Sequence, residues 1–428
     1  MLTDSKKKKL LVLGATKSEI EIVRKAQEKG FYVIATDSHE NWKNAPAKYV
    51  ADEAWNISWS DVSQLKPACE QNQIDGVMAG FSEKRVFAAN RLSIAINRPF
   101  YANGANLDSL FDKYKFKQAC IDAGIRVPQS YTIDSDIHFP VIVKPADNGG
   151  SRGISICYDR DELNVAYEKA MNWSDAKQVL IEEYLTADEI MVYFTVCNGE
   201  VILSAMCDRV MKRFDDRITQ LPIAYYYPSK YLNIFTEYNF EKFKQLLHNL
   251  NIQNGLIAFQ SFVIGNDVIP FDPTYRLDGT RTFYFTEYNN HISALDMLIH
   301  YSVYGEMGDY AEIVSKENPH FKHVTFEFPV LLKKGTIEKV SGIEEARKTP
   351  GIVSLIEEHA VGDVMEKEAD FSQMLCRVFV CTDSIPELKK IVAHVFSLIH
   401  VESVTGDDMI LYRLDPETVF RCYEDDRN

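Results

Sequence analysis

Two lysines and a glycine-rich segment are the residues of this chain best suited to binding phosphate groups. Lys144 ends an apolar stretch at residues 139–144, and the polar, glycine-rich sequence of residues 146–153 follows it. Glycines leave backbone N–H groups open to an anion, and lysines supply compact positive charge. Lys113 offers a second ammonium group upstream. The arrangement differs from a Walker A loop, in which the lysine follows the glycines at the start of a helix.

A second set of residues is suited to a nucleoside. The apolar stretch at residues 179–185 carries Glu182 and Glu183 side by side, so only one of them faces a cleft if the stretch is a strand. Its end at Leu185 can offer backbone groups to an adenine edge. Glu189 can hold ribose hydroxyls through charge-assisted hydrogen bonds.

A third set is suited to a divalent cation and a reacting carboxylate. Residues 255–264 and 268–271 form a predicted hairpin that delivers Gln260 and Asp272, and Arg276 follows. Hard oxygen ligands that bridge phosphates are what Mg²⁺ prefers. An arginine beside them can bind a carboxylate bidentately or stabilise an oxyanion.

The elements that position these groups are predicted by periodicity. Strand signals at residues 10–14, 31–35 and 76–79 alternate with helical stretches, which predicts a parallel, doubly wound layer. Gly14 lacks the further glycines of a dinucleotide fingerprint, so a tight turn is the preferred interpretation. Further helical patterns cover residues 107–127 and 291–304.

Composition excludes several classes of protein. The 428 residues are 46% hydrophobic and carry a net charge of −15, which predicts a folded chain that does not bind nucleic acid. The sequence contains no apolar run long enough to cross a bilayer. The eight cysteines form no CxxC pair, and the ten histidines have no zinc-ligand spacing relative to them. We therefore expect a cytoplasmic protein without a membrane partner.

Taken in order, these motifs resemble the ATP-grasp superfamily of carboxylate–amine ligases, including the amino-acid ligases and the carbamoyl phosphate synthetase large subunit. The resemblance rests on segments spread over nearly the whole chain: residues 10–37, 112–128, 143–153 and 181–189, while residues 329–337, 341–346 and 362–363 resemble the accessory lobe of the amino-acid ligases. It implies a parallel α/β preATP-grasp domain (residues 1–105), a two-lobed ATP-grasp domain of α+β type (106–318) and a small C-terminal α+β lobe (319–428).

The resemblance also implies the ligands and the site. ATP and Mg²⁺ are the expected cofactors, small-molecule carboxylates and amines are the expected substrates, and a homodimer is left open. Arg276 is expected at the reacting carboxylate, and Gln260, Asp272 and Thr274 at the metal. The nucleotide is expected to contact Lys113, Lys144, Gly149, Gly150, Ser151, Gly153, Glu182, Glu183, Leu185, Glu189 and Lys212.

The metal strand departs from the family pattern Glu-x-Asn-Pro-Arg. Asp272 stands in the place of the glutamate and Thr274 in the place of the asparagine, and Asp278 is near enough in sequence to assist. Gln260 stands where many members have glutamate. Two alternatives therefore remain: an ATP-binding protein without ligase activity, suggested by the altered strand, and a bicarbonate-activating enzyme of the carbamoyl phosphate type, suggested by Gln260.

Overall fold

The structure is a computed structural model that describes residues 7–146, 153–214, 220–367 and 369–424. Within those ranges, none of the helices has both the length and the hydropathy that crossing a bilayer requires. Four sheets are present in the described part of the chain, and the largest has eight strands.

A four-stranded parallel sheet forms the first part of the molecule, as the alternating pattern predicts. The strand order is β3-β2-β1-β4. Successive residues of β1 are fully buried, because both faces of the sheet are covered. The elements are β1 (Lys9–Leu13), α1 (Glu19–Glu28), β2 (Tyr32–Thr36), β3 (Glu53–Trp55), α2 (Val62–Asn72), β4 (Gly76–Ala79) and α3 (Glu83–Ala95), with 3-10 turns at Trp42–Asn44 and Pro46–Tyr49.

Gly14 makes the turn between β1 and α1. Its φ is +89°, and a Cβ atom there would lie 2.4 Å from the guanidinium carbon of Arg85. Arg85 is held in that position by Glu19 at 2.6 Å. The glycine is therefore explained by backbone conformation and close packing, which agrees with the tight-turn interpretation.

Two helices connect this domain to the next lobe, where the helical pattern of residues 107–127 predicted one. They are α4 (Gly104–Phe111) and α5 (Lys113–Asp122). Asp112 separates them in an extended conformation, and its side chain caps α5 by accepting from the N–H groups of Tyr114 and Lys115. The cap places Lys113 at the first position of α5.

A small antiparallel sheet forms the next lobe. Its strand order is β5-β8-β6-β7, and β6 pairs with both β7 and β8. The elements are β5 (Ser130–Tyr131), β6 (Val141–Pro145), β7 (Ser155–Cys157), α6 (Arg160–Trp173) and β8 (Val179–Glu183).

The eight-stranded sheet is the centre of the molecule, with the order β13-β12-β9-β10-β11-β14-β18-β16 and antiparallel pairing throughout. Three of its strands lie beyond residue 318, so the sheet runs across the domain boundary predicted there. The strands are β9 (Asp188–Cys197), β10 (Glu200–Arg213), β11 (Gln220–Tyr227), β12 (Gly255–Ile264), β13 (Asp267–Thr274), β14 (Val324–Leu331), β16 (Ile352–Glu357) and β18 (Met374–Thr382).

Helices and a three-stranded sheet complete the fold. The predicted helix at residues 291–304 begins later, because His291 ends α9 with a φ of +59° and Ser293 caps α10. The helices are α7 (Leu232–Tyr238), α8 (Phe240–Asn249), α9 (Phe283–Asn290), α10 (Ala294–Tyr304), α11 (Tyr310–Val314), α12 (Ile343–Arg347), α13 (Ile385–Leu398), α14 (Pro416–Val419) and α15 (Arg421–Glu424). The small sheet contains β15 (Gly335–Ser341), β17 (Val364–Met365) and β19 (His400–Ser403), and a 3-10 turn spans Phe371–Gln373.

Candidate active site

A cleft with a volume of about 770 Å³ separates the small sheet from the eight-stranded sheet. One wall consists of residues from β6, β7 and β8, and the other of residues from β9, β10, β12 and β13. The predicted site residues that line it are Lys144, Glu182, Glu183, Leu185, Glu189, Lys212 and Gln260. Residues of the C-terminal segment, including Tyr412 and Tyr423, close the cleft from a third side.

Lys113 and Lys144 meet at the end of β6. The Nζ atom of Lys113, at the start of α5, donates to the backbone carbonyl of Pro145 at 2.9 Å. Lys144 is the preceding residue of β6, and its Nζ atom lies 2.6 Å from Oε2 of Glu182. Two ammonium groups from distant parts of the sequence are thus brought to one end of one strand.

Glu182 is the centre of an ion cluster. Its carboxylate is buried and contacts Lys144 on one side and Lys117 on the other, the latter at 2.9 Å. Burial alone would raise the pKa of Glu182, but the two ammonium groups together outweigh it and hold the pKa below the ordinary value. The cluster carries one net positive charge at the cleft wall.

The glycine-rich segment follows β6 and lies partly outside the described residues, which exclude Gly149, Gly150 and Ser151. Gly153 is described and has a φ of +77°. A Cβ atom there would approach Trp173 to 2.8 Å and Pro145 to 2.9 Å, so the backbone packs where no larger residue fits.

The predicted nucleoside residues line the cleft between the two sheets. Leu185 is buried at the end of the β8 segment, and Glu183 turns away from Glu182 and lies 3.8 Å from Arg126. Glu189 pairs with Arg209, which faces it across the β9–β10 ladder. Burial raises the pKa of Glu189, although the Arg209 guanidinium opposes this shift.

The predicted metal residues are brought together in part. Gln260 and Asp272 are directly opposed on β12 and β13, and the amide of Gln260 donates to Oδ2 of Asp272 at 3.1 Å. The hydroxyl of Thr274 instead donates to the backbone carbonyl of Ala258 at 3.4 Å, and Thr274 is buried. Asp278 accepts hydrogen bonds from the backbone N–H and the hydroxyl of Thr282. Its carboxylate therefore stabilises the turn that contains it.

Asp272 faces the solvent of the cleft, yet crowding by the cleft walls and the nearby Glu83 carboxylate raise the pKa of Asp272 to about 6. Among the described residues Asp272 forms no ion pair, and no cluster of three or more His, Cys, Asp or Glu side chains could hold a metal by itself. One carboxylate and one amide oxygen fit a Mg²⁺ ion that takes its other ligands from phosphates and water. They do not form a complete protein cage.

Arg276 lies beyond the metal strand and reaches back to the first domain. Its guanidinium donates through Nε to Oε1 of Glu83 at 2.8 Å and through a second nitrogen to the carbonyl of Leu277 at 2.8 Å. Glu83 is the first residue of α3. The first domain therefore fixes the orientation of the predicted catalytic arginine.

A small cavity adjoins Arg276 on the helical side of the sheet, where Glu317 and Thr195 contribute polar atoms. Both carboxylate oxygens of Glu317 are buried without a well-formed hydrogen bond. Burial raises the pKa of Glu317 to about 8, and the nearby Thr195 hydroxyl lowers it only slightly. At neutral pH this side chain is therefore mostly protonated.

Three residues of the site were missed by sequence reasoning: Lys117, Glu83 and Arg209. Lys117 could have been predicted from the sequence, because it follows Lys113 by four residues and therefore lies on the same face of the helix. Glu83 and Arg209 carry none, because their partners are set by domain packing and by strand register.

Two family models match the chain. The model described as "D-ala D-ala ligase C-terminus" matches residues 123–291, and "L-amino acid ligase C-terminal domain 2" matches residues 328–404. The first match contains β6 to β13, and therefore most of the cleft.

Curated relatives are similar over part of the chain. A formate-dependent phosphoribosylglycinamide formyltransferase of Prochlorococcus marinus is 26% identical over 275 residues, which are 61% of this chain and 68% of the relative. A D-alanine–D-alanine ligase of Fusobacterium nucleatum is 37% identical over 121 residues, 28% of this chain and 36% of the relative.

Solved structures match over almost the full length. Phosphoribosylglycinamide synthetase from Anaerococcus prevotii has a TM-score of 0.76 at 17% identity, covering 93% of this chain and 100% of its own. L-amino acid ligase from Bacillus licheniformis has a TM-score of 0.76 at 14% identity, covering 93% and 99%. These matches establish the fold, including the parallel domain and the large antiparallel sheet.

Proposed function

We propose that this chain is an ATP-grasp enzyme, an ADP-forming ligase that activates a small-molecule carboxylate with ATP and couples it to an amine. The class of reaction agrees with the ligases that both family models and the D-alanine–D-alanine ligase relative name. The particular carboxylate and amine belong to the proposal, as does a cytoplasmic location.

The observation that carries the proposal is the meeting of Lys113 and Lys144 at the end of β6. Phosphoryl transfer requires mainly that the reactants be positioned and that the charge on the phosphates be neutralised. Two ammonium groups at one wall supply that charge, with Gln260 and Asp272 on the other side of the same site. Glu182 holds Lys144 without cancelling the positive charge of the cluster.

The remaining roles follow from where each residue lies. Leu185, just after the end of β8, would contact the adenine, and Glu189 would accept hydrogen bonds from the ribose while it shares its bond to Arg209. Gln260 and Asp272 would hold Mg²⁺, which would neutralise charge on the phosphates. Thr274 can take part only by giving up its bond to Ala258.

The reaction balances in two steps. An oxygen of the substrate carboxylate attacks the γ-phosphorus of ATP, the bond from that phosphorus to the bridging oxygen breaks, and ADP leaves. The amine nitrogen then attacks the acyl carbon, inorganic phosphate leaves, and the amine loses a proton. Arg276 would bind the carboxylate and stabilise the charge on its oxygen.

The test is ADP release by the purified protein with Mg-ATP and a panel of amino acids and small carboxylic acids, supplied singly and in pairs. We expect release that depends on a particular carboxylate and amine, and that Arg276→Met abolishes. Bicarbonate belongs in the panel, since release stimulated by it alone would favour the carbamoyl phosphate type. ATP binding without stimulation by any pair would count against ligase activity.

A second candidate, ATP binding without ligation, is favoured by the engagement of Thr274 with the Ala258 carbonyl. The double variant Asp272→Glu with Thr274→Asn distinguishes the two. Turnover that appears only in the double variant would identify the native chain as a nucleotide-binding protein. Turnover in the native chain excludes this candidate.

A further inference from the structure

The side chain of Lys212 lies against two aromatic rings, Tyr412 and Phe214, at the cleft. Its Nζ atom is 4.6 Å from the ring centroid of Tyr412 and 5.8 Å from that of Phe214. The two rings contact each other edge to face, with centroids 6.0 Å apart. We call Lys212, Phe214 and Tyr412 the aromatic cradle.

The cradle joins two parts of the fold. Lys212 lies near the end of β10, where this strand has passed the start of β9 and pairs only with β11. Tyr412 comes from the C-terminal lobe, between β19 and α14. Its backbone is fixed on one side by the Leu411 N–H, which donates to the Leu331 carbonyl at 2.8 Å.

The rings hold the ammonium group without neutralising it. An aromatic face attracts a cation through its quadrupole but carries no net charge. Lys144, in contrast, is paired with the Glu182 carboxylate. No carboxylate in the described ranges forms an ion pair with Lys212.

Both Lys212 and Tyr412 line the nucleotide cleft. We propose that Tyr412 is a positioning residue that, with Phe214, holds the Lys212 ammonium group where it contacts the phosphates of bound ATP. The C-terminal lobe then contributes to nucleotide affinity through a side chain beyond the matched range 328–404. The inference rests on the proposed function only in requiring that the cleft bind ATP.

Calorimetric titration of the full chain with ATP, ADP and AMP tests the cradle. Tyr412→Leu should weaken ATP binding by about 3- to 10-fold, the range expected for a cation–π contact at a partly exposed site. Affinity for AMP should change by less than about 2-fold, because the effect acts through the distal phosphates. Tyr412→Phe keeps the ring and should bind ATP like the native protein.

A double variant separates positioning from simple loss of packing. In the Lys212→Met background, Tyr412→Leu should cause no further loss of ATP affinity. Tyr288→Leu removes another half-exposed ring, away from the cleft, and should leave all three affinities unchanged.

Three results would overturn the proposal: equal loss of ATP and AMP affinity in Tyr412→Leu, a Tyr412→Phe variant as weak as Tyr412→Leu, or full additivity with Lys212→Met. These results leave the proposed function standing if the native chain binds ATP. Failure of the native chain to bind ATP would overturn both.

Discussion

Lys113 and Lys115 lie in the first turn of α5 and have different surroundings. Lys113 reaches the Pro145 carbonyl, whereas Lys115 is exposed and pairs with Asp108. We expect Lys113→Met to weaken ATP binding by about 10-fold or more, because it removes one of the two charges that the proposed function assigns to the phosphates. Lys115→Met is the matched control and should bind ATP normally. Calorimetry decides, and equal effects would contradict the assignment.

Glu317 gives a pH-dependent prediction. Its pKa is raised from 4.5 to about 8 in the folded protein, so the folded state binds the proton more tightly than the unfolded state between those values. Stability contributed by this group therefore falls as the pH rises from about 4.5 to 8.

Glu317→Gln removes the ionisation while keeping a similar shape. We expect the variant to be more stable than the native protein at pH 8, by on the order of a few kcal/mol, and the difference to vanish near pH 5. Urea unfolding at both pH values measures it. A difference that is independent of pH would show that the carboxyl is not buried in the neutral form.

The sequence identified residues whose chemistry is visible in their own segment. Lys144 stands at a strand end before glycines, and Asp272 lies beside the hairpin that carries Gln260. Glu83 could not be found in this way, because its partner Arg276 is 193 residues away and only domain packing joins them. The hydrogen bond between Thr274 and Ala258 could not be predicted for a related reason, since it depends on the strand register.

Among the elements, the end of the glycine-rich segment tolerates only glycine at one position, Gly153. Gly153 and Gly124 both have left-handed backbone, with φ of +77° and +71°. A Cβ atom at Gly124 meets nothing within 4 Å, whereas at Gly153 it collides with Trp173 and Pro145. The pair therefore separates backbone strain from steric conflict.

We expect Gly124→Ala to cost about 1 kcal/mol of unfolding free energy, from backbone strain alone. Gly153→Ala should cost roughly 1–3 kcal/mol more and also weaken ATP binding, because the collision displaces the end of β6. Denaturant unfolding and calorimetry on both variants measure these effects. Equal unfolding free energies of Gly124→Ala and Gly153→Ala would show that Trp173 can move away from the added methyl group without loss of stability.

The helix boundaries show which features of the helices the apolar periodicity can predict and which it cannot. The apolar repeat over residues 107–127 predicted one helix, but Asp112 caps a second helix within it. A capping aspartate is visible in the sequence, yet the repeat continues across it because both helices bury an apolar face. At residues 291–304 the repeat likewise extended past the true start, which is fixed by the Ser293 cap.

Across the whole molecule, Arg281 ties three parts of the chain together. Its buried guanidinium lies 2.5 Å from Glu21 on α1 and 3.2 Å from Glu358, which follows β16. Arg281→Met would leave two carboxylates without their cation, so we expect a loss of about 3–5 kcal/mol and a lower thermal midpoint.

Arg126→Met is the matched control for that experiment. Arg126 also bridges two carboxylates, but at 3.8 Å and half-exposed, so its loss should cost less than about 1 kcal/mol. Thermal and urea unfolding of both variants give the comparison. Similar losses in the two would mean that Arg281 contributes no more than a surface pair.

The parallel domain and the order of its elements were predictable, because alternation of strand and helix is a local pattern. The continuity of the eight-stranded sheet could not be predicted, because no feature of the β11 or β14 sequence indicates that these strands pair across about one hundred residues. The apolar pattern of β14 is compatible with pairing to antiparallel strands of either lobe. Which strand it pairs with depends on the packing of the whole chain.

That shared sheet limits how the protein can be re-engineered. An exchange of residues 319–428 for the same region of another ligase would replace one side of the ladder between β11 and β14, so the incoming strand would have to reproduce the register of β14 against β11. A chimera in which that strand failed to pair would expose the edge of β11 and would tend to aggregate through it. Exchanges of substrate preference in this scaffold are therefore better made by grafting loops onto the intact sheet than by swapping lobes.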